Sequence, residues 1–191
     1  MSIEGHPVRY SQSTITELMV PAYANFGGKI HGGTLLSLMD KVAYVCASKH
    51  AGNYCVTLSV DNVHFLQPVE VGDLVSMMAS VNYVGRTSLV VGIKVIAENV
   101  QTATVKHTNT SYFTMVAKGP DGMKAEVPPL ILEDEEAIRR FASALRRRRL
   151  RAYAVKRMDN YKASFSADDN VRAFLAGERC EIRLGVNNHR T

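Results

Sequence analysis

Asn25-Phe26-Gly27-Gly28-Lys29-Ile30-His31-Gly32-Gly33 runs directly into Thr34-Leu35-Leu36-Ser37-Leu38-Met39-Asp40. A loop holding four glycines, an asparagine and a histidine is thus followed at once by a helical pattern that carries one acid on its second turn. Glycines ahead of a helix let the backbone approach a ligand closely. The first N–H groups of a helix are unpaired and partly positive. Together they favour an anion or a developing oxyanion, and Gly32 and Gly33 sit where those N–H groups point. A phosphate loop is excluded, because no Gly-Lys-Ser/Thr follows and Asp40 would repel phosphate.

The helix is expected from about Gly33 to Lys49. Leu35, Leu36, Leu38, Met39, Val42, Ala43, Val45, Cys46 and Ala47 make it apolar over most of its circumference, as in a helix wrapped by other structure. A narrow polar stripe of Ser37, Asp40, Lys41, Tyr44 and Ser48 remains. A first strand is expected at Thr14–Val20, closed by Pro21. After the helix, strand patterns cover Cys55–Val60, continuing to Leu66 through a bulge near Asp61-Asn62, then Leu74–Tyr83, Leu89–Ala97 and Thr104–Val116. Val75, Met77, Ala79, Val81 and Tyr83 fall on one face, and Leu89, Val91, Ile93, Val95 and Ala97 on another. Short turns such as Gly85-Arg86-Thr87 favour an antiparallel meander. The fold class is therefore α+β, with about five antiparallel strands curled around one long helix.

Residues 1–130 are expected to form this domain and residues 131–191 a helical, arginine-rich extension. Past Pro128-Pro129, Glu133-Asp134-Glu135-Glu136 opens a second helix with an apolar stripe of Ile138, Phe141, Ala142 and Leu145. Val171–Leu175 suits a short helix, and Asn187–Thr191 is expected to fray. The formal charge is +5, concentrated between Arg139 and Arg157. A solvated helix end or subunit interface is the first reading of that tract, contacts to coenzyme A phosphates the second and nucleic acid a distant third, since no aromatic interleaving is present. Three cysteines without CxxC spacing argue against a disulfide framework or zinc cage and for a reducing, cytoplasmic setting. No apolar run reaches about 18 residues, so no membrane partner is expected. The stretch Met1–His6 has neither the charged nor the apolar region of a signal peptide.

Asp40 lies seven residues past Gly33, roughly 10 Å along a helix axis at about 1.5 Å per residue. One carbonyl cannot touch both the Gly33 N–H and the Asp40 carboxylate of the same helix. A site using both needs two antiparallel helices, hence a homodimer with two equivalent sites. Asp40 suits a general base or a nucleophile, and a wall of Leu36, Met39 and Ala43 would desolvate it. Asn25 is placed to position water or substrate. His31 in such a loop is more often a structural hydrogen-bonder than a catalyst. No Ser-His-Asp or Cys-His arrangement is legible, and Cys46 reads as core.

At these residues the chain resembles a family. Asn25-x-x-Gly28-x-x-His31-Gly32-Gly33 followed by Leu38-Met39-Asp40 is similar to the hotdog-fold acyl-CoA thioesterases of the brain-type acyl-CoA hydrolase group and their bacterial relatives. Val56-Thr57-Leu58-Ser59-Val60-Asp61, Gly85-Arg86-Thr87-Ser88 and His107–Val116 match further segments, and the likeness covers roughly residues 10–118. The resemblance implies hydrolysis of acyl-CoA to a fatty acid and free coenzyme A, a double-hotdog homodimer and commonly a trimer of dimers. It implies no metal and no cofactor, coenzyme A being part of the substrate. Carried over, Asn25 and Asp40 form the catalytic pair from opposite subunits, and the Gly32 and Gly33 N–H groups hold the thioester oxygen. His31 lies against the substrate, and Arg86, Thr87 and Ser88 line the coenzyme A groove. Two alternatives stand beside this reading: a hotdog dehydratase acting on acyl thioesters, with His31 as its histidine, and a non-catalytic acyl-CoA or nucleotide sensor.

Overall fold

The computed structural model describes residues 3–183. Its first compact unit ends at Arg147. There β1 (His6–Pro7) and α1 (Val8–Ser11) lead into β2 (Ser13–Leu18), and a 3-10 turn at Pro21–Tyr23 opens the glycine loop. The long helix α2 (Gly32–Ala51) follows, then β3 (Tyr54–Val60), β4 (Asp73–Val84), β5 (Ser88–Asn99), β6 (Thr104–Lys118) and β7 (Leu130–Ile131). The helix α3 spans Glu135–Ala163.

Helix α2 is the core of the unit. Leu35, Leu38, Met39, Val42, Ala43, Cys46 and Ala47 are buried, against Val75, Met77, Leu89, Ile93 and Met115 of the sheet. Each fully buried Val, Leu or Met side chain contributes about 1.5–3 kcal/mol. The helix ends where Gly52 takes the left-handed conformation (φ 63°) and its N–H bonds to Ser48 O. The strands alternate as expected: Val75, Met77, Ala79 and Val81, like Leu89, Val91, Ile93, Val95 and Ala97, face α2.

Three details differ from the expectation. The sheet is antiparallel throughout with order β2-β4-β5-β6-β3, so only β4, β5 and β6 form a meander. Residues 61–72 are a long connection, so the strand does not continue to Leu66 as expected, and they let the chain cross from β3 at one edge to β4 near the other. The bulge of β3 falls between Thr57 and Ser59, ahead of Asp61. Tyr83 does not share the α2 face, because a register shift between Val81 and Tyr83 turns it outward. There it packs with Val90, Ala144, Tyr112, Phe141 and Leu145.

That outward cluster also draws on α3. The first turns of α3 cover the outer sheet face, so the compact unit runs on past residue 130 to Arg147. The covering face is Ala137, Phe141 and Ala144, while Ile138 of the expected stripe is 54% exposed. Helix α3 begins at Glu135, two residues later than expected, with the Asp134 carboxylate accepting from Ala137 N at 2.7 Å. Glu133 instead pairs with Arg9. From Arg148 onward a second unit holds the remaining turns of α3 and α4 (Asp169–Leu175), capped by Asp168. Its large apolar side chains, among them Leu150, Tyr153, Met158 and Phe165, are exposed. The expectation for Asn187–Thr191 lies outside the described residues.

Candidate active site

The glycine loop is held from both sides. Ile30 N bonds to Val69 O at 2.9 Å and His31 N to Tyr23 O at 2.8 Å, while Lys29 Nζ pairs with Glu70 at 2.6 Å. Inside the loop, Asn25 Oδ1 accepts from Gly27 N (2.9 Å) and Lys29 N (3.2 Å). This turn fixes the amide: its oxygen is occupied by the backbone, which leaves the NH2 end to face a partner. Asn25 is exposed, and Phe26 beside it stands fully in the open.

At the helix start the imidazole of His31 caps α2. Its Nδ1 accepts the Gly33 N–H at 2.9 Å. This revises the oxyanion expectation. The Gly33 N–H is occupied, whereas that of Gly32 has no hydrogen-bond partner among the described residues. The Gly32 N–H is therefore the free donor at the positive end of the helix. Gly32 also admits a ring: a Cβ there would lie 3.3 Å from Phe65 Cε2.

Asp40 projects from the third turn of α2 into an open cleft of about 480 Å³, with Tyr44, Tyr54, Val56, Thr57 and Met115 around it. The carboxylate is exposed in the single chain, while Met39 and Ala43 are fully buried on the sheet side. The expected desolvating wall is thus absent from one chain, because those side chains follow the core face of the helix. Thr57 Oγ lies 2.5 Å from Asp40 Oδ1 and donates to it. Sequence reasoning missed Thr57, although the residue lies in one of the family-like segments.

Neither Asn25 nor Gly32-Gly33 lines the Asp40 cleft, and neither do Arg86, Thr87 and Ser88. The last three form the β4–β5 turn, closed by Gly85 N to Ser88 O at 2.7 Å, with Arg86 exposed. One chain therefore holds the candidate residues in two separate places: a donor loop at the start of α2 and a carboxylate cleft beside edge strand β3. Around the cleft, Tyr54 and Leu58 are 60% and 67% exposed, leaving apolar surface for a partner to cover. The other candidates are inert. Cys46 is fully buried and burial pushes its thiol up to about 12, so no thiolate forms there. Burial likewise raises Cys55. Among the described residues, no group of three or more His, Cys, Asp or Glu could hold a metal, and no helix is long and apolar enough to cross a membrane.

The family model of the thioesterase superfamily matches residues 27–116, from the glycine loop through most of β6. A hexameric acyl-CoA thioesterase, solved in its apo form, superposes with a TM-score of 0.77 and 34% identity over 80% of this chain and 98% of its own. The chain belongs to the thioesterase superfamily, and its fold is the hotdog. Protein VdlD of Helicobacter pylori is 48% identical over 70% of this chain and 76% of its own length. An acyl-CoA hydrolase of Staphylococcus aureus, solved with butyryl coenzyme A, coenzyme A and coenzyme A disulfide, gives a TM-score of 0.73 at 30% identity, covering 83% of this chain and 99% of that one. The same hydrolase has been solved with an asparagine, an aspartate and a threonine each replaced by alanine. Their separations along that chain equal those from Asn25 to Asp40 and from Asp40 to Thr57 in this thioesterase.

Proposed function

We propose that this chain is an acyl-CoA thioesterase, hydrolysing fatty acyl-CoA to the free acid and coenzyme A in the cytoplasm. The observation that carries the reading is the separation along the chain of a free N–H and an asparagine amide at the start of α2 from a threonine-held carboxylate about two turns further on. A thioester carbonyl needs both, and a second copy brings its Asp40 cleft to the first copy's loop. The exposed Phe26, Tyr54 and Leu58 suit burial in that homodimer, and a trimer of dimers is the expected assembly.

Within the site, the Gly32 N–H and the helix dipole stabilise the oxygen that gains charge as the carbonyl becomes tetrahedral. The NH2 of Asn25 orients the thioester or the attacking water. Thr57 holds Asp40 Oδ1, which leaves Oδ2 for the reaction. That oxygen either takes a proton from water as water attacks the acyl carbon, or attacks the carbon itself to form an anhydride that water then opens. In both routes the carbon–sulfur bond breaks, the thiolate leaves as coenzyme A, and water supplies the acid oxygen. His31 is committed to capping α2, which removes the histidine a dehydratase would need.

The experiment is thiol release from acyl-CoAs running from acetyl to long-chain, with Asp40→Ala as control. Turnover of some members by the native chain, lost in the variant with the fold intact, is expected. Silence across the panel, or full activity of Asp40→Ala, overturns the reading.

A further inference from the structure

On the sheet face opposite α2, strands β2, β4, β5 and β6 and the first turns of α3 form an open cavity of about 670 Å³, within the range of about 300–1,000 Å³ typical of small-molecule sites. Lys94 of β5 and Arg139, Arg140 and Arg147 of α3 line it, and no carboxylate does. Glu136 bonds to both Arg139 (2.6 and 2.7 Å) and Arg140 (2.7 Å), so one acid is shared between two guanidinium groups. The cavity keeps a clear excess of positive charge, and concave low-dielectric walls focus it.

Arg147 is the most unusual member. Its guanidinium lies 3.5 Å over the ring of Tyr112, and its Nε and Nη2 are buried without a hydrogen-bond partner among the described residues. Buried cationic donors left unmet are costly. Of the first reading of the arginine tract, a solvated helix end or subunit interface, the solvated helix end does not describe this residue.

The floor is polar as well. Buried Ser80 donates to Asn82 Oδ1 at 3.1 Å and accepts from Arg140 Nη1 at 3.3 Å. Asn82 lies flat across Gly92, where a Cβ would come within 2.2 Å of its Nδ2. The same helix–sheet interface is apolar at its other end, with Tyr83, Val90, Phe141 and Leu145. Packing α3 on the sheet needs apolar contacts of that kind, not a cationic pocket over a buried amide.

We propose that this cavity is a second ligand site that binds the di- or triphosphate of a nucleotide, with Lys94, Arg139, Arg140 and Arg147 as its phosphate contacts. Arginine forks suit phosphate oxygens, and an acceptor between α3 and the sheet satisfies Arg147. The phosphates come from one of two sources: the nucleotide end of coenzyme A itself, or a free nucleoside polyphosphate.

The test is isothermal titration of the full chain with inorganic pyrophosphate at low salt, which needs no turnover and so is independent of thioester hydrolysis. Saturable binding is expected, weakened tenfold or more by Lys94→Gln and by Arg147→Gln. Arg149→Gln, in the same tract but off the cavity, leaves it unchanged. Lys94 is exposed, so its variant folds even if Arg147→Gln does not, and melting curves verify both. Displacement of pyrophosphate by coenzyme A assigns the phosphates to the substrate; displacement by ATP and not by coenzyme A assigns them to a free nucleotide. Either upholds the site. Absence of saturable binding, or equal affinity in Lys94→Gln and Arg149→Gln, overturns it.

Discussion

Thr57 on edge strand β3 donates its hydroxyl to Asp40 on α2 at 2.5 Å, across a sequence separation of 17 residues. The bond fixes one carboxylate oxygen and so aims the other. A hydrogen bond to a charged group contributes about 1.5–3 kcal/mol when shielded, and less in a cleft open to water. Thr57→Ala should therefore lower kcat about tenfold, equivalent to about 1.4 kcal/mol in the barrier, with KM little changed. Thr57→Ser, which keeps the hydroxyl, should retain most of the rate. Steady-state kinetics with a single acyl-CoA separates them, and equal losses in the two variants would show that the methyl group, not the hydroxyl, is what matters.

His31 is read as a helix cap because its Nδ1 accepts the Gly33 N–H at 2.9 Å. Loss of an N-cap side chain costs about 0.5–2 kcal/mol. His31→Ala should lower stability in urea unfolding by about 1 kcal/mol on that scale, and His31→Asn, another good cap, should recover it along with activity. Gly33→Ala should resemble His31→Ala, since its Cβ would lie 3.0 Å from His31 Nδ1 and push the ring off. A stable His31→Asn variant with a raised KM for acyl-CoA would instead put the imidazole against substrate.

What could be read from sequence follows the range of the interactions involved. Helix α2 was legible because its apolar residues cover nearly the whole circumference, and β5 because Leu89 to Ala97 alternate without a break. Contacts between distant segments were not. Nothing local sends β3 to the far edge beside β6, and nothing in the pattern of β4 marks the irregularity that turns Tyr83 outward. Thr57 looks like any threonine on a strand until the fold sets it against Asp40. The glycine loop led to the expectation of an oxyanion site, but which N–H stays free depends on the rotamer of His31. Arg147 belonged to a run of arginines in the sequence, and only packing on Tyr112 singles it out.

His50 ties the C-terminal end of α2 to the chain after β6. It is fully buried, and its Nε2 lies 3.0 Å from Pro128 O. A carbonyl only accepts, so Nε2 carries the proton. Burial lowers the His50 pKa below the ordinary histidine value; the Pro128 carbonyl opposes this and His6 adds to it. The unfolded chain then binds a proton that the folded chain refuses, and acidification favours unfolding. The contribution is fully present above the ordinary value of about 6.5 and is lost as pH falls from there through the depressed folded value. Melting temperatures between pH 7.5 and 5 should fall in the native chain and fall less steeply in His50→Gln, which keeps a donor for Pro128. Identical slopes would assign the acid sensitivity elsewhere.

The proposed division of the site between two copies gives the most demanding prediction. Asn25 and the free Gly32 N–H lie at the start of α2, whereas Asp40 opens into its own cleft beside β3. Geometry within one helix keeps them roughly 10 Å apart along its axis, too far for one carbonyl to reach both. Asn25→Ala and Asp40→Ala should each be nearly inactive alone, general acid–base groups being worth about 10²–10⁴ in rate. In a mixed dimer one of the two sites pairs an intact Asn25 with an intact Asp40, and the other holds both lesions. After subunit exchange at equal concentrations, half of the dimers are mixed and half of their sites are intact, so about a quarter of native activity should return. Exchange can be followed independently by tagging one variant and capturing the hybrid. Proven hybrids without recovered activity would mean that each chain builds its site alone, and that Asn25 and Asp40 of one copy meet by a rearrangement of the loop.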